Sequence, residues 1–280
     1  PAPNTDALGI QKIAIILTKP AGPVKYPVNQ LDAVMREVNK YFQEVSYGQT
    51  SLQWDVYGWY DTDVAPDQME HPEKFMEYAD KDVDYSKYNI VMSVDQRQFF
   101  AGTVGKDYTY TEDGDIYLGL AYGNQKFFPR PEFSSGVAHE LAHTFGAGHS
   151  GNMSCSSKPI DILSNCTLSE YGDIFDIMGS SNDGHINSIQ KDSVGWLAGR
   201  VIDVSKSGDY TVSALESMSG PVAIRVPKLK EASTGDYYYL EYRTPRGFDV
   251  KGMASQSVKG VQIRIIYGTT QLVDMTPGNY

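Results

Sequence analysis

The stretch of chain from 139 to 149 constrains the fold most, because its histidines recur at spacings that one local structure brings together. His139 and His143 lie four residues apart, so a helix presents both imidazoles on one face. Gly146 then allows the left-handed turn that ends a helix, and His149 follows it. Three of the chain's five histidines lie in this stretch. The sequence therefore predicts a helix that ends at a bend and brings His149 back toward the first two.

The residue types in this stretch are those of a catalytic zinc site. Three neutral histidines leave one position of a tetrahedral Zn²⁺ ion open for water, whereas a closed structural site usually adds a fourth ligand such as Cys. The sequence has no Cys at a matching spacing. Glu140 lies one residue round the helix, where it can reach a water molecule without binding the metal. We predict one zinc ion on His139, His143 and His149, with Glu140 as general base.

The run His-Glu-x-x-His-x-x-Gly-x-x-His resembles the zinc signature of the metzincin metallopeptidases. That family also has a methionine-containing turn beneath the metal, and the segment 171–179 is similar to it, with Met178 as the turn methionine. This turn, the later Gly195-Trp196-Leu197 and residues 239–243 look most like the gametolysin-type branch. The resemblance spans roughly residues 90–280 and implies a zinc endopeptidase acting on proteins or peptides.

The hydrophobic pattern predicts an α/β (α+β) catalytic domain with a mixed twisted sheet and the zinc-binding helix, followed by an all-β C-terminal module. Beyond about residue 200, short β-rich runs alternate with turn residues, so we expect domains at 1–200 and 201–280. Residues 150–172 show little periodicity and are expected to form a loop. The predicted elements are strands at 11–18, 52–57, 88–94, 116–122, 210–212, 222–226, 237–242 and 261–266, and helices at 31–45, 134–145 and 186–197.

An extended substrate is expected to pair with an exposed edge strand of the catalytic domain. Metzincins that resemble this chain have such a strand shortly before the zinc helix, and residues 116–122 occupy that place in the sequence. We therefore take Gly119, Leu120, Ala121 and Tyr122 as candidate substrate-binding residues. An interior strand or a hairpin arm is the alternative.

Cys155 and Cys166 are the chain's two cysteines and lie eleven positions apart in a loop rich in Ser and Asn. In an exported protein such a pair forms a disulfide, and the alternative is two free thiols in a cytosolic protein. The chain begins with Pro1 rather than Met, which is typical of trimming, and it ends at Tyr280 just after a strand-like run. We expect a secreted protein whose C-terminal module is compatible with further sequence.

The charge balance excludes several partners. The chain carries 24 basic and 35 acidic residues, a net charge of −11, whereas nucleic-acid binding requires clustered Lys and Arg. No apolar stretch reaches the ~18–20 residues of a membrane helix, so we expect no membrane span.

Asp173 and Asp176 are expected to cap or brace the methionine turn. A structural Ca²⁺ ion is compatible with the acidic composition but is assigned to no residues, and we expect a monomer.

Two other functions are consistent with the sequence. A binding or adhesion protein could carry an inert peptidase domain, but an inert scaffold has no need of the base Glu140. A zinc hydrolase of non-peptide amides or esters would use the same ligands, so only substrate tests separate it from a peptidase.

Overall fold

The computed structural model describes residues 5–20, 28–62, 73–95, 101–111, 114–124, 134–180, 183–228, 237–250 and 260–277. The chain divides into two compact units, a first unit of Asn4–Ala147 and a second unit that contains Gly148–Tyr280. Both are mixtures of strands and helices, in agreement with the predicted α/β class. Among the described residues, the helices are too short or too polar to cross a membrane.

The first unit is built on a mixed sheet whose central strands are parallel. Its strands are β1 (Gly9–Pro20), β2 (Thr50–Thr62), β3 (Ile90–Asp95), β4 (Ala101–Gly102), β5 (Asp107–Thr111) and β6 (Gly114–Asn124), and its helices are α1 (Val28–Val45), α2 (Glu73–Ala79) and α3 (Ser134–Thr144). The order is β2-β1-β3-β6-β4, with β5 also beside β6. Strands β4 and β5 run antiparallel to β6, whereas the other pairs are parallel. Residues 13–17 of β1 are fully buried, as a continuous apolar run predicts for a central strand.

Helix α1 supports helix α3, which carries two of the three predicted zinc ligands, His139 and His143. Its buried residues recur at spacings of three and four, the pattern of one apolar helix face. The ring of Phe42 in α1 meets the ring of Phe145 edge-on, with centroids 5.0 Å apart. Both rings are fully buried. This contact fixes the C-terminal end of α3, where the chain bends toward His149.

The second unit is built on a seven-stranded sheet with the order β8-β7-β13-β12-β11-β10-β9. Its elements are β7 (Ser150–Cys155), β8 (Cys166–Ser169), α4 (Ser188–Ser193), β9 (Val201–Asp203), β10 (Ala223–Pro227), β11 (Tyr237–Tyr242), β12 (Val261–Tyr267) and β13 (Thr269–Val273). Most neighbours are antiparallel, but β7 pairs in parallel with β13, and β9 with β10.

Three local predictions in this unit are wrong. Residues 150–172 contain β7 and β8 rather than loop alone, residues 210–212 form no strand, and the last helix covers 188–193 instead of 186–197. The polar sequence of β7 carries no strong period, and its conformation is stabilised by hydrogen bonds to β8 and β13. Tertiary pairing of this kind overrides local propensity.

The boundary between the compact units lies at 147/148, earlier than the predicted domain boundary near residue 200. Strands β7 and β8 belong to the same sheet as the five strands after residue 200, so the structure gathers them into one unit. The assignment of a catalytic domain to 1–200 and a β module to 201–280 stays a prediction.

Cys155 and Cys166 lie directly opposite each other on β7 and β8 and form a disulfide, as predicted. Replacing both with Ala is expected to lower the free energy of unfolding by about 2–3 kcal/mol, because the bond closes a short loop and restricts the unfolded chain. Urea unfolding with and without a reductant measures the loss. Reductant should lower the midpoint of the wild type and leave that of the double variant unchanged; an equal response of both would contradict the prediction.

Candidate metal centre

Helix α3 carries His139, Glu140 and His143, and it ends as the sequence predicts. Gly146 has a φ of 100°, in the left-handed region that favours glycine. Its backbone N–H donates to the carbonyl of His143 at 2.8 Å, and that of Ala147 donates to Ala142 at 3.1 Å. These bonds satisfy carbonyls at the end of the helix and turn the chain toward His149.

The three predicted ligands lie close enough together to hold one ion. Each of His139, His143 and His149 offers a ring nitrogen, and these atoms lie within 4.8 Å of one another. His143 is buried, whereas His139 and His149 are half-buried. The site therefore combines a buried ligand with partial access from solvent.

The Nδ1 atoms of two of these histidines are already engaged, which defines the atoms that face a metal. His143 Nδ1 lies 2.7 Å from the carbonyl oxygen of Ala147, and His149 Nδ1 lies 2.9 Å from Glu170 Oε1. A carbonyl or carboxylate oxygen can only accept, so each Nδ1 carries the proton and each Nε2 is the unprotonated nitrogen; Nε2 of His149 accepts from the hydroxyl of Tyr171. Metal-binding histidines commonly have such partners. The donor set therefore fits a zinc ion bound through Nε2.

Glu140 follows His139 on helix α3 and points into the protein rather than into solvent. Its side chain is buried, and burial raises the pKa of its carboxyl from 4.5 to about 8. A cation close by would lower the pKa again, because it favours the charged form. A carboxyl whose pKa is raised by burial and lowered by a nearby cation is able to accept and return a proton near neutral pH.

The segment that resembles a methionine turn is held by backbone and carboxylate contacts. Met178 is fully buried. Its N–H donates to Asp176 Oδ1 at 2.8 Å, and its carbonyl accepts from the N–H of Ser150 at 2.8 Å. Asp173 Oδ1 accepts from the N–H of Phe175 at 3.0 Å. Both aspartates brace the turn, as predicted, and the turn is tied to the residue that follows His149.

Buried amide and carboxylate groups hold the backbone on both sides of His149. Gln190 Nε2 donates to the carbonyl of Gly148 at 2.7 Å and to Ser150 Oγ at 2.9 Å. Ser150 Oγ donates to Asp176 Oδ2 at 2.8 Å, and Asn187 Nδ2 donates to the same carboxylate oxygen at 2.6 Å. These contacts restrict where the ring of His149 can point.

The prediction that residues 116–122 form an exposed edge strand is wrong. In β6, residues 119–124 pair with β3 on one side, and residues 114–118 and 121–122 pair with β5 and β4 on the other. Gly119, Leu120 and Ala121 are buried, and a Cβ on Gly119 would meet Thr144 of α3 at 2.6 Å. Tyr122 pairs through its backbone with Ser93 and Ala101. These four residues form an interior strand, the alternative that the sequence left open.

The outer position on this side of the sheet belongs to β4 and β5, which precede β6 in the chain. Strand β4 lies directly on helix α3: a Cβ on Gly102 would clash with the carbonyl oxygen of Glu140. The N–H of Gly105 donates to the carbonyl of His143 at 2.7 Å. Gly102 therefore permits an approach of strand and helix that a side chain would prevent.

Sequence analysis missed the residues that orient His149. A carboxylate partner for a ligating histidine is a general expectation, but Glu170 lies 21 residues away and no spacing rule selects it. Asn187 and Gln190 sit in a helical turn with no distinguishing pattern, and their role depends on tertiary contacts. Tyr171 lies within the segment quoted for the turn, but its contact with His149 comes only from the structure.

Comparisons with known proteins add little to this geometry. No protein family and no curated protein matches the chain. It is similar to the crystal structure of metalloproteinase-II from Bacteroides fragilis, at 11% identity and a TM-score of 0.37, over 69% of this chain and 55% of that one. The chain spans only about half of that protein. The chain itself provides a mixed α/β structure with three histidines that could hold one metal ion.

Proposed function

We propose that this protein is a zinc-dependent endopeptidase of the metzincin kind. The observation that carries the proposal is the group of three histidines with their ring nitrogens within 4.8 Å, next to the buried carboxyl of Glu140. Three histidine ligands leave a position for water, which distinguishes a catalytic zinc site from a closed one. The resemblance of the segment 139–149 to the metzincin signature favours a peptide substrate over other amides and esters.

In this proposal His139, His143 and His149 hold the ion, and Glu140 moves the proton. Zinc supplies Lewis-acid chemistry at such a site, since it lowers the pKa of a water and stabilises negative charge on an oxygen. The Glu140 carboxylate accepts a proton from the attacking water and then donates it to the nitrogen of the leaving amine. Glu170 holds the Nδ1 proton of His149, and the carbonyl of Ala147 holds that of His143.

The substrate would lie along β4 and β5 rather than along β6. Among the described strands of the first sheet, these two border the side of β6 away from β3. The backbone of β4 touches the helix that carries Glu140 and His143. An extended peptide added to this side would therefore run past the metal ligands and pair through its backbone.

We infer that the protein acts outside the cell as a monomer. A disulfide such as Cys155–Cys166 persists in oxidising compartments and is rare in the cytosol. The acidic net charge of −11 is unfavourable for binding nucleic acid or anionic lipid.

Incubation of the full chain with denatured casein tests the proposal. We expect cleavage that stops on addition of a zinc chelator and returns when zinc is restored, because the histidine nitrogens are the metal ligands. The metal content of the purified protein, measured by atomic emission, should be one zinc per chain.

A parallel assay with a simple nitrophenyl ester separates peptidase from esterase activity. Zinc-dependent ester hydrolysis without casein cleavage would replace the proposal with a non-peptide hydrolase. Bound zinc with neither activity would favour an inert binding protein, and a chain that binds no zinc would overturn the proposal altogether.

A further inference from the structure

The hydroxyl of Tyr171 lies at the metal-facing nitrogen of His149. Tyr171 Oη is 2.8 Å from His149 Nε2, and the two ring centroids are 4.1 Å apart at an angle of 39°. Since Glu170 engages Nδ1, the Nε2 atom accepts and the tyrosine hydroxyl donates. Any group bound to Nε2 would therefore lie next to this hydroxyl.

The backbone of Tyr171 is held in an unfavourable conformation. Its φ is 57°, and only one other described residue that is not glycine, Tyr47, has a positive φ. A bulky side chain is unfavourable in this region of backbone conformation, and such residues concentrate at functional sites. The next residue is fixed by a hydrogen bond from the N–H of Gly172 to the carbonyl of Ser169 at 3.0 Å. The fold thus keeps the Tyr171 side chain beside His149 despite the strain.

The side chain is also accessible to a substrate. It is 42% exposed, although it packs on a half-buried histidine. An exposed hydroxyl beside a metal ligand is placed to reach an oxygen on the same metal, and a single donor to a developing oxyanion is worth about 10²–10³ in turnover.

We propose that Tyr171 is a further catalytic residue, whose hydroxyl donates a hydrogen bond to the oxygen of the scissile carbonyl as negative charge develops on it. In the structure the hydroxyl donates to His149 Nε2, the nitrogen that would hold the metal, and the oxygen of the scissile carbonyl would replace that nitrogen as its acceptor. The inference rests on the proposed peptidase function. No proton is transferred in this step, and the hydroxyl keeps its hydrogen throughout.

The variant Tyr171→Phe tests this role, because it keeps the ring against His149 and removes only the hydroxyl. We expect kcat to fall about 10²-fold with KM nearly unchanged, as for a contact made only in the transition state. A phosphonate analogue of the best casein cleavage site should bind about 10²-fold more weakly, whereas the product peptide should bind equally well. The matched control is Tyr242→Phe, at a tyrosine of similar exposure on β11.

Zinc affinity, measured by competition with a coloured chelator, gives a readout independent of turnover. Tyr171→Phe should bind zinc about fivefold more tightly, because a hydrogen bond that competes for Nε2 is gone. Weaker zinc binding in the variant would mean that the hydroxyl only supports His149, and unchanged kcat and phosphonate affinity would equally overturn the proposal. If the wild type cleaves neither casein nor peptides, the proposed peptidase function is wrong. The zinc competition measurement then still shows whether the Tyr171 hydroxyl contacts His149.

Discussion

Replacing Glu140 with Gln is expected to leave zinc bound and to lower kcat/KM for casein peptides by about 10³-fold, within the range for loss of a general acid–base. The amide has nearly the shape of the carboxyl, but it cannot accept a proton from water. The substitution should not destabilise the fold, because burial penalises a charged carboxylate at this position, whereas a neutral amide is tolerated there. The fold should therefore survive, and the free energy of unfolding should not fall.

The matched control is Glu170→Gln, which alters a glutamate that contacts a ligand instead of the substrate. Glu170 Oε1 holds the Nδ1 proton of His149, so its loss should weaken zinc affinity about 10–100-fold. Measured with saturating zinc, turnover of this variant should recover most of its wild-type value. A general base is thus recognised by lost turnover with zinc retained, and an orienting residue by weaker zinc binding with turnover retained at saturating zinc. Loss of zinc from Glu140→Gln, or wild-type turnover by it, would contradict the assignment.

The parts of the site that depend on local spacing could be predicted from the sequence. His139 and His143 lie on one helix face, and Gly146 has the left-handed conformation that ends it. The role of Met178 beneath a metal, implied by the resemblance, stays a prediction, but Asp173 and Asp176 contact backbone groups two residues further along the chain. In each case the chain itself brings the partners together, and no distant contact is needed.

The order of strands could not be predicted in this way. The edge position predicted for β6 came from the resemblance, yet β3 lies on one side of this strand and β4 and β5 lie on the other. The polar runs that form β7 and β8 are strands because other strands pair with them. Which strands become neighbours depends on the whole sheet, and the sequence of one segment alone does not determine its neighbours.

The second unit also contains a buried ionic cluster that no sequence pattern predicts. Arg243 is fully buried, and its Nε donates to Glu241 Oε1 at 2.8 Å. Its Nη1 donates to the carbonyls of Phe175 and His185 at 2.7 and 2.9 Å, and Asp249 lies 3.4 Å away. Arg243 thus contacts two buried carboxylates, one of which, Glu241, also pairs with Arg264, and it ties the end of β11 to the backbone of Phe175 and His185.

Arg243→Met is expected to cost about 3–5 kcal/mol of unfolding free energy, because the buried Asp249 would lose its arginine partner and the buried Glu241 would keep only Arg264. Arg225→Met is the matched control in the same unit: this arginine pairs with Asp192 and Asp203 but is 29% exposed, so its loss should cost only about 0–1 kcal/mol. Urea unfolding of both variants, followed by circular dichroism, measures the difference. Adding Asp249→Asn to Arg243→Met should recover part of the loss if the uncompensated charge of Asp249 is its cause. Equal midpoints for Arg243→Met and Arg225→Met would show instead that the cluster contributes no more than a surface ion pair.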